Sequence, residues 1–410
     1  MKKLLALGLA ATIAVAGVGA LAGCTQGDDE LTVGFIALHD DNSTYDKNFL
    51  DAIREACANK GIDQDHLIIR TGIDETQECY DAAADLVDQG CDVIFADSFG
   101  HQQFMLQAAK EFPDVEFCHA TGTLAHTENV ANYHNAFASI YEGRYLAGVA
   151  AGMKLVEMEK AGGIKPANRD TDGNVKIGYV GAYPYAEVVS GYTSFFLGVR
   201  SVVEEETEHS VVMEVTYTSS WYDLQAENDA ARLLISRGAA LISQHADSMG
   251  APNACEDAGV PNVSYNGSTA ASCPDTYIVS SRINWVPYFE YMIDCVANGE
   301  TIDTDWTGTL ETGSVVLTEL GGAAAEGTAE KLAEVEAELR NGTLQVFDCS
   351  AFTVNGEHLT SYLADVDTDD AFTPDTEAIE DGVFYESRHR SAPYFDVRID
   401  GITELTEANS

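Results

Sequence analysis

Residues 31–61 read LTVGFIALHDDNSTYDKNFLDAIREACANKG. LTVGFIAL is a short, nearly unbroken apolar run, the pattern of a strand buried on both faces. HDDNSTYD is a polar turn. In KNFLDAIREACANKG, Phe49, Leu50, Ile53, Ala56 and Cys57 recur at helical spacing, and Gly61 supplies the stop. The same strand–turn–helix cycle then repeats. HLIIRTG (66–72), CDVIFADS (91–98) and VEFCHATG (115–122) read as strands, and ETQECYDAAADLVDQG (75–90), HQQFMLQAAKEFP (101–113) and IYEGRYLAGVAAGMKLVEM (140–158) as helices. Strands that alternate with helices of this length build a parallel sheet covered on both faces.

A second series opens at KIGYVGA (176–182), after a Gly-, Pro- and Asp-containing divider at 162–174. It continues through a helix at 190–205, a strand at 211–218, a helix at 226–238, a strand at 239–246, a short helix at 251–258 and the strand PNVSYN (261–266). IVSSRI (278–283) and WVPYFEYMIDCVANG (285–299) read as a further strand and helix. In the remaining tail an Ala/Glu-rich helix spans 323–340, and LQVFDCSAFTV (344–354) and YFDVRID (394–400) have a strand-like pattern. Two α/β units of similar plan carry their ligand-facing loops beyond the carboxyl ends of the strands, where open sheets of this kind bind ligands.

The first 24 residues, MKKLLALGLAATIAVAGVGALAGC, run from Lys2 and Lys3 through an apolar stretch to small residues before Cys24. That order is a secretory signal, and Cys24 at the cut resembles a bacterial lipobox, whose thiol receives a diacylglycerol. An uncleaved membrane anchor is the competing reading, against which the glycines and the two flanking charges count. The expectation is a chain tethered by lipid on the extracytoplasmic face of the cell membrane, as a monomer. No later segment offers the 18 or more apolar residues of a spanning helix.

Charge narrows the partners. The 67 acids against 22 bases give −45, and a surface of that sign repels nucleic acid and anionic lipid. Nine cysteines become eight once Cys24 is lipidated, an even number that permits disulfides in an exported protein. Cys255 and Cys273, close in sequence, are the first candidate pair.

Several strand-end segments together carry a family resemblance: VGFIALHDDNSTYDKNF, DVIFADSFGHQQFMLQAAKEFPDVEF and, most specifically, YEGRYLAGVAAG, followed by IGYVGA, SSWYD, ISQHADSMG and VSYNGS. Over about residues 31–298 the chain resembles the BMP family, substrate-binding proteins of certain ABC transporters that include purine nucleoside receptors. The resemblance implies a two-lobed α/β fold of the type I periplasmic-binding-protein kind, each lobe a parallel sheet flanked by helices. The expected division is a signal peptide at 1–23, a lipidated tether at 24–30, lobe 1 at 31–140, and mainly lobe 2 with hinge crossings at 141–275. A return to lobe 1 at 276–320 and a C-terminal extension packing on the lobes at 321–410 complete it. It also implies a purine-type ligand captured by lobe closure, no cofactor, no catalysis, and ABC permease subunits as partners.

Stacking rings and a polar rim are what a flat heteroaromatic base requires. Tyr45 stands where the family places its first ring, and Trp221 where the second lobe supplies the opposing one. Asp41, Asn42 and Asp46 flank Tyr45 as acceptors for a ring N–H or exocyclic amine, although Asp46 equally suits the capping of the following helix. Ser98 and Phe99 would line the first-lobe floor, and His245, Asp247 and Asn266 would face them. Nucleoside-binding members carry an acid and a lysine that hold the ribose. Here Asn266 stands at the acid, and Asn284 at the lysine unless Arg282 takes over. Neutral side chains lose charge-assisted strength, which leans the expectation towards a nucleobase.

Rival chemistries find weaker support. His119, His126 and His134 are spaced by seven and eight residues, not as a helical metal pair, yet could converge as a metal-ion receptor. NRDTDGNV (168–175) begins like a calcium loop but reaches Tyr179 at its twelfth position, where such a loop needs Glu, and DVDTDD (365–370) lacks the Gly. A nucleophile elbow, P-loop or GxGxxG after a strand is not found. A lipid-anchored sensor or surface hydrolase stays open on fold grounds alone.

Overall fold

A computed structural model describes residues 31–366 and 374–405. The signal segment, Cys24 and the tether lie outside the described residues, as does most of DVDTDD. Among the described residues no helix is long and apolar enough to cross a membrane. Residues 31–405, so far as described, belong to one compact unit.

The first half alternates β1 (Val33–Ile36), α1 (Thr44–Lys60), β2 (Leu67–Arg70), α2 (Gln77–Asp88), β3 (Val93–Ala96), α3 (Gln102–Glu111), β4 (Glu116–Ala120), a single turn α4 (Ala125–Glu128) and β5 (Tyr133–Ala138). The long helix α5 (Ile140–Lys160) leads to β6 (Val175–Gly181). The second half continues with α6 (Ala186–Glu206), β7 (Val211–Tyr217), α7 (Leu224–Ser236), β8 (Ile242–His245), α8 (Gly250–Ala258), β9 (Asn262–Tyr265) and β10 (Tyr277–Ile283). Then come α9 (Val286–Asn298), β11 (Asp305–Gly308), β12 (Val315–Leu317) and α10 (Thr328–Arg340).

The strands form two principal sheets. The first has the order β11-β5-β4-β3-β1-β2 and is parallel throughout. The second has the order β12-β10-β9-β8-β6-β7 with Ile402–Glu404 beyond β7, and only β12 runs antiparallel to its neighbour. In each sheet the chain goes to one side of its first strand and then to the other, so a topological switch point lies at β1/β3 and another at β6/β8. Ligand crevices in open α/β sheets form at such points.

The apolar runs that predict strands are the buried ones: all four residues of β1 and of β3 are inaccessible, and Phe35, Phe49, Phe95, Trp285 and Phe289 pack as one aromatic core. Ser43 caps α1 by accepting from the Asp46 amide, and Gly61 closes it in the left-handed region. Helices α5 and α6 cross closely. A Cβ on Gly148 would sit 2.2 Å from the Phe195 carbonyl oxygen, and one on Gly198 2.2 Å from that of Tyr145. Glycine is required at both.

Four expectations need correction. Residues 276–320 do not return as a block to the first half: β10 and β12 complete the second sheet, while α9 packs on α1 and β11 pairs with β5. The strand-like stretches 344–354 and 394–400 form no ladder beyond isolated bridges such as Asp348 with Val383. Their apolar side chains anchor the extension instead, with Phe347 stacked on Phe395 at 4.2 Å. The strand at 402–404 follows them and pairs with β7. Finally, Cys255 and Cys273 are not joined: all eight described cysteines are free and buried. Cys255 Sγ instead accepts from Asn262 Nδ2 at 3.7 Å.

Candidate ligand-binding site

A narrow cavity lies where the carboxyl ends of the two sheets face each other. From the first half it receives the loop after β1, the start of α1, and the residues following β3 and β4. From the second it receives the start of α6, the β7–α7 loop and the ends of β8 and β9. A direct bridge joins the halves beside it: the Thr44 amide and hydroxyl both donate to the Asp247 carbonyl, at 3.0 and 3.1 Å.

Tyr45, Phe99, Trp221 and Tyr265 supply its aromatic walls. The Tyr45 hydroxyl donates to the Asp97 carbonyl at 2.7 Å, and its ring meets Phe49 edge-on, which fixes the exposed face towards the cavity. Trp221 leans against Tyr183, with ring centroids 5.1 Å apart, and Tyr183 stacks on Tyr185, which reaches Phe99 in the opposite half. Tyr265 is backed by Arg144 from α5, whose guanidinium lies 4.5 Å from the ring centroid and donates to the Gln244 carbonyl and the Tyr179 hydroxyl. Burial lowers this arginine to about 10, still a cation at neutral pH. The specific EGRYLAGVAAG segment thus braces the site from behind.

The acidic groups divide into committed and uncommitted ones. Asp46 accepts from the His39 amide at 2.7 Å and the Ser43 hydroxyl at 2.5 Å, and lies 3.3 Å from His39 Nδ1. Burial opposes its charge, but these bonds win and hold it below the usual carboxylate range. Its oxygens tie the β1–α1 loop together. Ser98 likewise spends its hydroxyl on Glu75 at 2.6 Å. Asp97 is inaccessible, and burial beside Asp46 pushes it well above the carboxylate range.

Asp247 is different. Its side chain has no hydrogen bond from a described residue, and burial, reinforced by Asp46, Glu227 and Glu187, raises it well above the usual range. Burial thus favours its protonated form on the cavity wall, which can donate as well as accept. His245 Nε2 lies 3.3 Å from Glu187 Oε1 while Nδ1 finds no partner, and burial lowers the ring, keeping it neutral. Asp247 is therefore the uncommitted polar group on the wall, beside a Glu187–His245 pair that lines the same cavity.

Seven of the residues singled out in the sequence share this cavity: Tyr45, Asp46, Ser98, Phe99, Trp221, His245 and Asp247. Five do not. Asp41 is exposed and paired with Arg54 at 3.0 Å, and Asn42 bonds to Asp40 in a surface depression on the other side of the loop. Asn266, Arg282 and Asn284 line a separate cavity with Thr44 and Lys47. The N-terminal turn of α1 stands between: Arg282 donates to Asn48 Oδ1 at 3.1 Å, and Asn284 to the Gly313 carbonyl at 3.1 Å. Glu187 and Tyr265 are additions. Tyr265 sits inside VSYNGS, one position before the Asn that drew attention, and Glu187 opens the helix after the first strand of the second series. Position at a strand end was the only signal for either.

The three histidines do not converge. His119 bonds to the Ser98 carbonyl, His126 to Asp305, and His134 to Glu116. Among the described residues no cluster of three potential ligands could hold a metal ion.

Residues 33–348 match the family described as Bmp, ABC transporter substrate-binding protein, PnrA-like. The chain belongs to that family. Among its relatives, a purine-binding protein of Brucella abortus is 30% identical over 80% of this chain and 86% of its own length. A Haloferax volcanii protein, named provisionally as an ABC transporter glucose-binding protein, is 34% identical over 64% of this chain, and the match spans 60% of that relative's length. ABC transporter solute-binding proteins from Conexibacter woesei (TM-score 0.58, 21% identity, 77% of this chain and 98% of that one) and Aeropyrum pernix (0.59, 18%, 76% and 86%) share the fold. This Bmp chain is thus a type I binding-protein fold with its cavity at the paired switch points.

Proposed function

We propose that this Bmp protein captures a purine-type ligand, a nucleobase or nucleoside, between its two sheets and delivers it to an ABC permease. In this reading the chain is held at the extracytoplasmic face of the membrane by diacylglycerol on Cys24, as a monomer. The observation that carries the ligand class is the pairing of four aromatic walls with a few polar groups, of which Asp247 is uncommitted. A bicyclic heteroaromatic ring offers two flat faces to Tyr45, Phe99, Trp221 and Tyr265, and an edge of donors and acceptors to Asp247, Glu187 and His245. The purine-binding Brucella relative supports the same class.

The Haloferax relative gives a second reading, a hexose. A sugar also stacks on aromatic rings, but each buried hydroxyl requires a hydrogen-bond partner, and Asp46 and Ser98 are already committed. Mass spectrometry of the molecule that copurifies, followed by calorimetry against adenine, adenosine, hypoxanthine, inosine and glucose, separates the two. Binding of glucose with none of the purines would sink the purine reading. Release of intact protein from membranes by Cys24→Ala tests the anchor.

A further inference from the structure

Glu227 sits in the first turn of α7, outside the cavity, and is inaccessible. A glutamate is fully buried only where partners hold it, and its partners here are backbone amides of the two loops that carry Trp221 and Asp247. Oε1 accepts from the Asp223 amide at 3.1 Å, two residues after Trp221. The Ser248 amide, one residue after Asp247, donates to both oxygens, at 3.3 and 3.2 Å. A backbone bond runs beside this brace, the Asp247 amide donating to the Trp221 carbonyl at 2.9 Å. The carbonyl of the same Asp247 accepts from Thr44 of the first half. One carboxyl group thus ties the aromatic loop to the strand end that touches the opposite half.

Local packing leaves that carboxyl little freedom. Asp223 caps α7, its Oδ1 accepting from the Gln225 and Ala226 amides. Helix α8 lies so close that a Cβ on Gly250 would sit 2.3 Å from the Leu224 carbonyl oxygen and 2.8 Å from Glu227 Cβ. Burial pushes Glu227 up to about 7, against the opposing amide bonds. The titratable groups facing it are both acids, Asp223 on its own helix and Asp247 at the end of β8. Those on the other packed elements are engaged elsewhere: Glu256 and Asp257 of α8 with Thr276 and Arg232, Glu214 of β7 with Arg237, Lys176 of β6 with the Arg237 carbonyl, and His245 of β8 with Glu187. Because the folded value is the raised one, the stability linked to this proton is complete below about pH 4.3 and is lost as pH rises through about 7. The ionised form therefore does not serve stability. It is the stronger acceptor for the two amides, and protonation turns one of its oxygens into a donor that faces an N–H group.

We infer that Glu227 is a positioning residue for the ligand site: its ionised carboxyl holds the Trp221 and Asp247 loops in register, and its protonation loosens them, so that ligand affinity falls as the medium turns acid. This rests on the cavity being the ligand site, not on which ligand it takes. Tryptophan emission of the ligand-free full chain, followed from about pH 5 to about pH 9, tests it without a ligand. The expected result is one transition centred near pH 7, absent from Trp221→Phe and from Glu227→Gln. Calorimetry with adenosine should then find the wild type at least threefold weaker at about pH 6 than at about pH 8, and Glu227→Gln equal at both. A wild type without the transition, or a transition that persists in either variant, overturns the positioning role. Should Glu227→Gln not fold, Glu227→Asp decides: the shortened carboxyl displaces the transition by about half a pH unit or more, and an unmoved one overturns the role equally. The expected emission without binding of any purine sinks the purine reading alone and leaves the positioning role standing.

Discussion

Trp221 lines the cavity, and its ring is held by Tyr183 and Tyr185 rather than by the ligand. Removing it leaves the neighbours in place and takes away one stacking face. Trp221→Ala should therefore weaken ligand binding at least tenfold, about 1.4 kcal/mol, with little change in melting temperature; calorimetry reads the first and thermal denaturation the second. Glu386 makes a separate prediction. It is inaccessible, and burial, opposed only weakly by the Ser190 hydroxyl, pushes it up to about 8. In the unfolded chain it titrates near 4.3. Because the folded value is the raised one, the stability linked to this proton is complete below about pH 4.3 and is lost as pH rises through about 8. Glu386→Gln should match the wild type in melting temperature near pH 4 and exceed it by several degrees at pH 8.5. Single residues were legible unevenly. Tyr45, Trp221 and Asp247 stood out by type and place, but Asn266 was singled out in place of its neighbour Tyr265. One step past the strand carries it to the far side of α1, with a positive φ of 64°. Nothing in a linear pattern records that step.

Among the elements, the α5–α6 crossing is the tightest contact described. With carbonyl oxygens 2.2 Å from where Cβ atoms would stand on Gly148 and Gly198, even a methyl group must push backbone aside. Gly148→Ala should cost about 1–3 kcal/mol of stability, as overpacking does, despite alanine's better helix propensity; urea denaturation with an unchanged m-value checks it. The strand–helix cycle was readable because its strands are buried on both faces and its helices on one, so composition and period agree. Where they disagree, reading failed. β5 carries within a buried strand His134, bonded to Glu116, and Asn135, whose Oδ1 accepts from the Ala125 amide, and so does not look apolar. In the extension the reverse holds: Phe347, Phe352 and Phe395 lie in apolar stretches that look like strands but serve as anchors on irregular backbone.

At the level of the whole molecule, charge is the dominant fact. The chain's net −45, nearly all of it carried from Leu31 onward, opposes folding by self-repulsion. The described ion pairs at most offset it locally, since basic residues are three times scarcer than acids and many pairs are exposed. Salt shortens the range of the repulsion from about 10 Å at 0.1 M to about 3 Å at 1 M. Melting temperature should rise by about 5 °C or more between ~0.1 and ~2 M sodium chloride, and a flat profile would show the acids to be neutralised by other means. The fold class and the paired crevices could be inferred from the repeated cycle, whereas the extension's path could not, because its contacts span hundreds of residues and have no period. One consequence of the glycine crossing remains. Backbones seated that closely have no room to slide lengthwise, and α5 and α6 both pack on the second sheet, so the crossing stiffens that half of the molecule as one body.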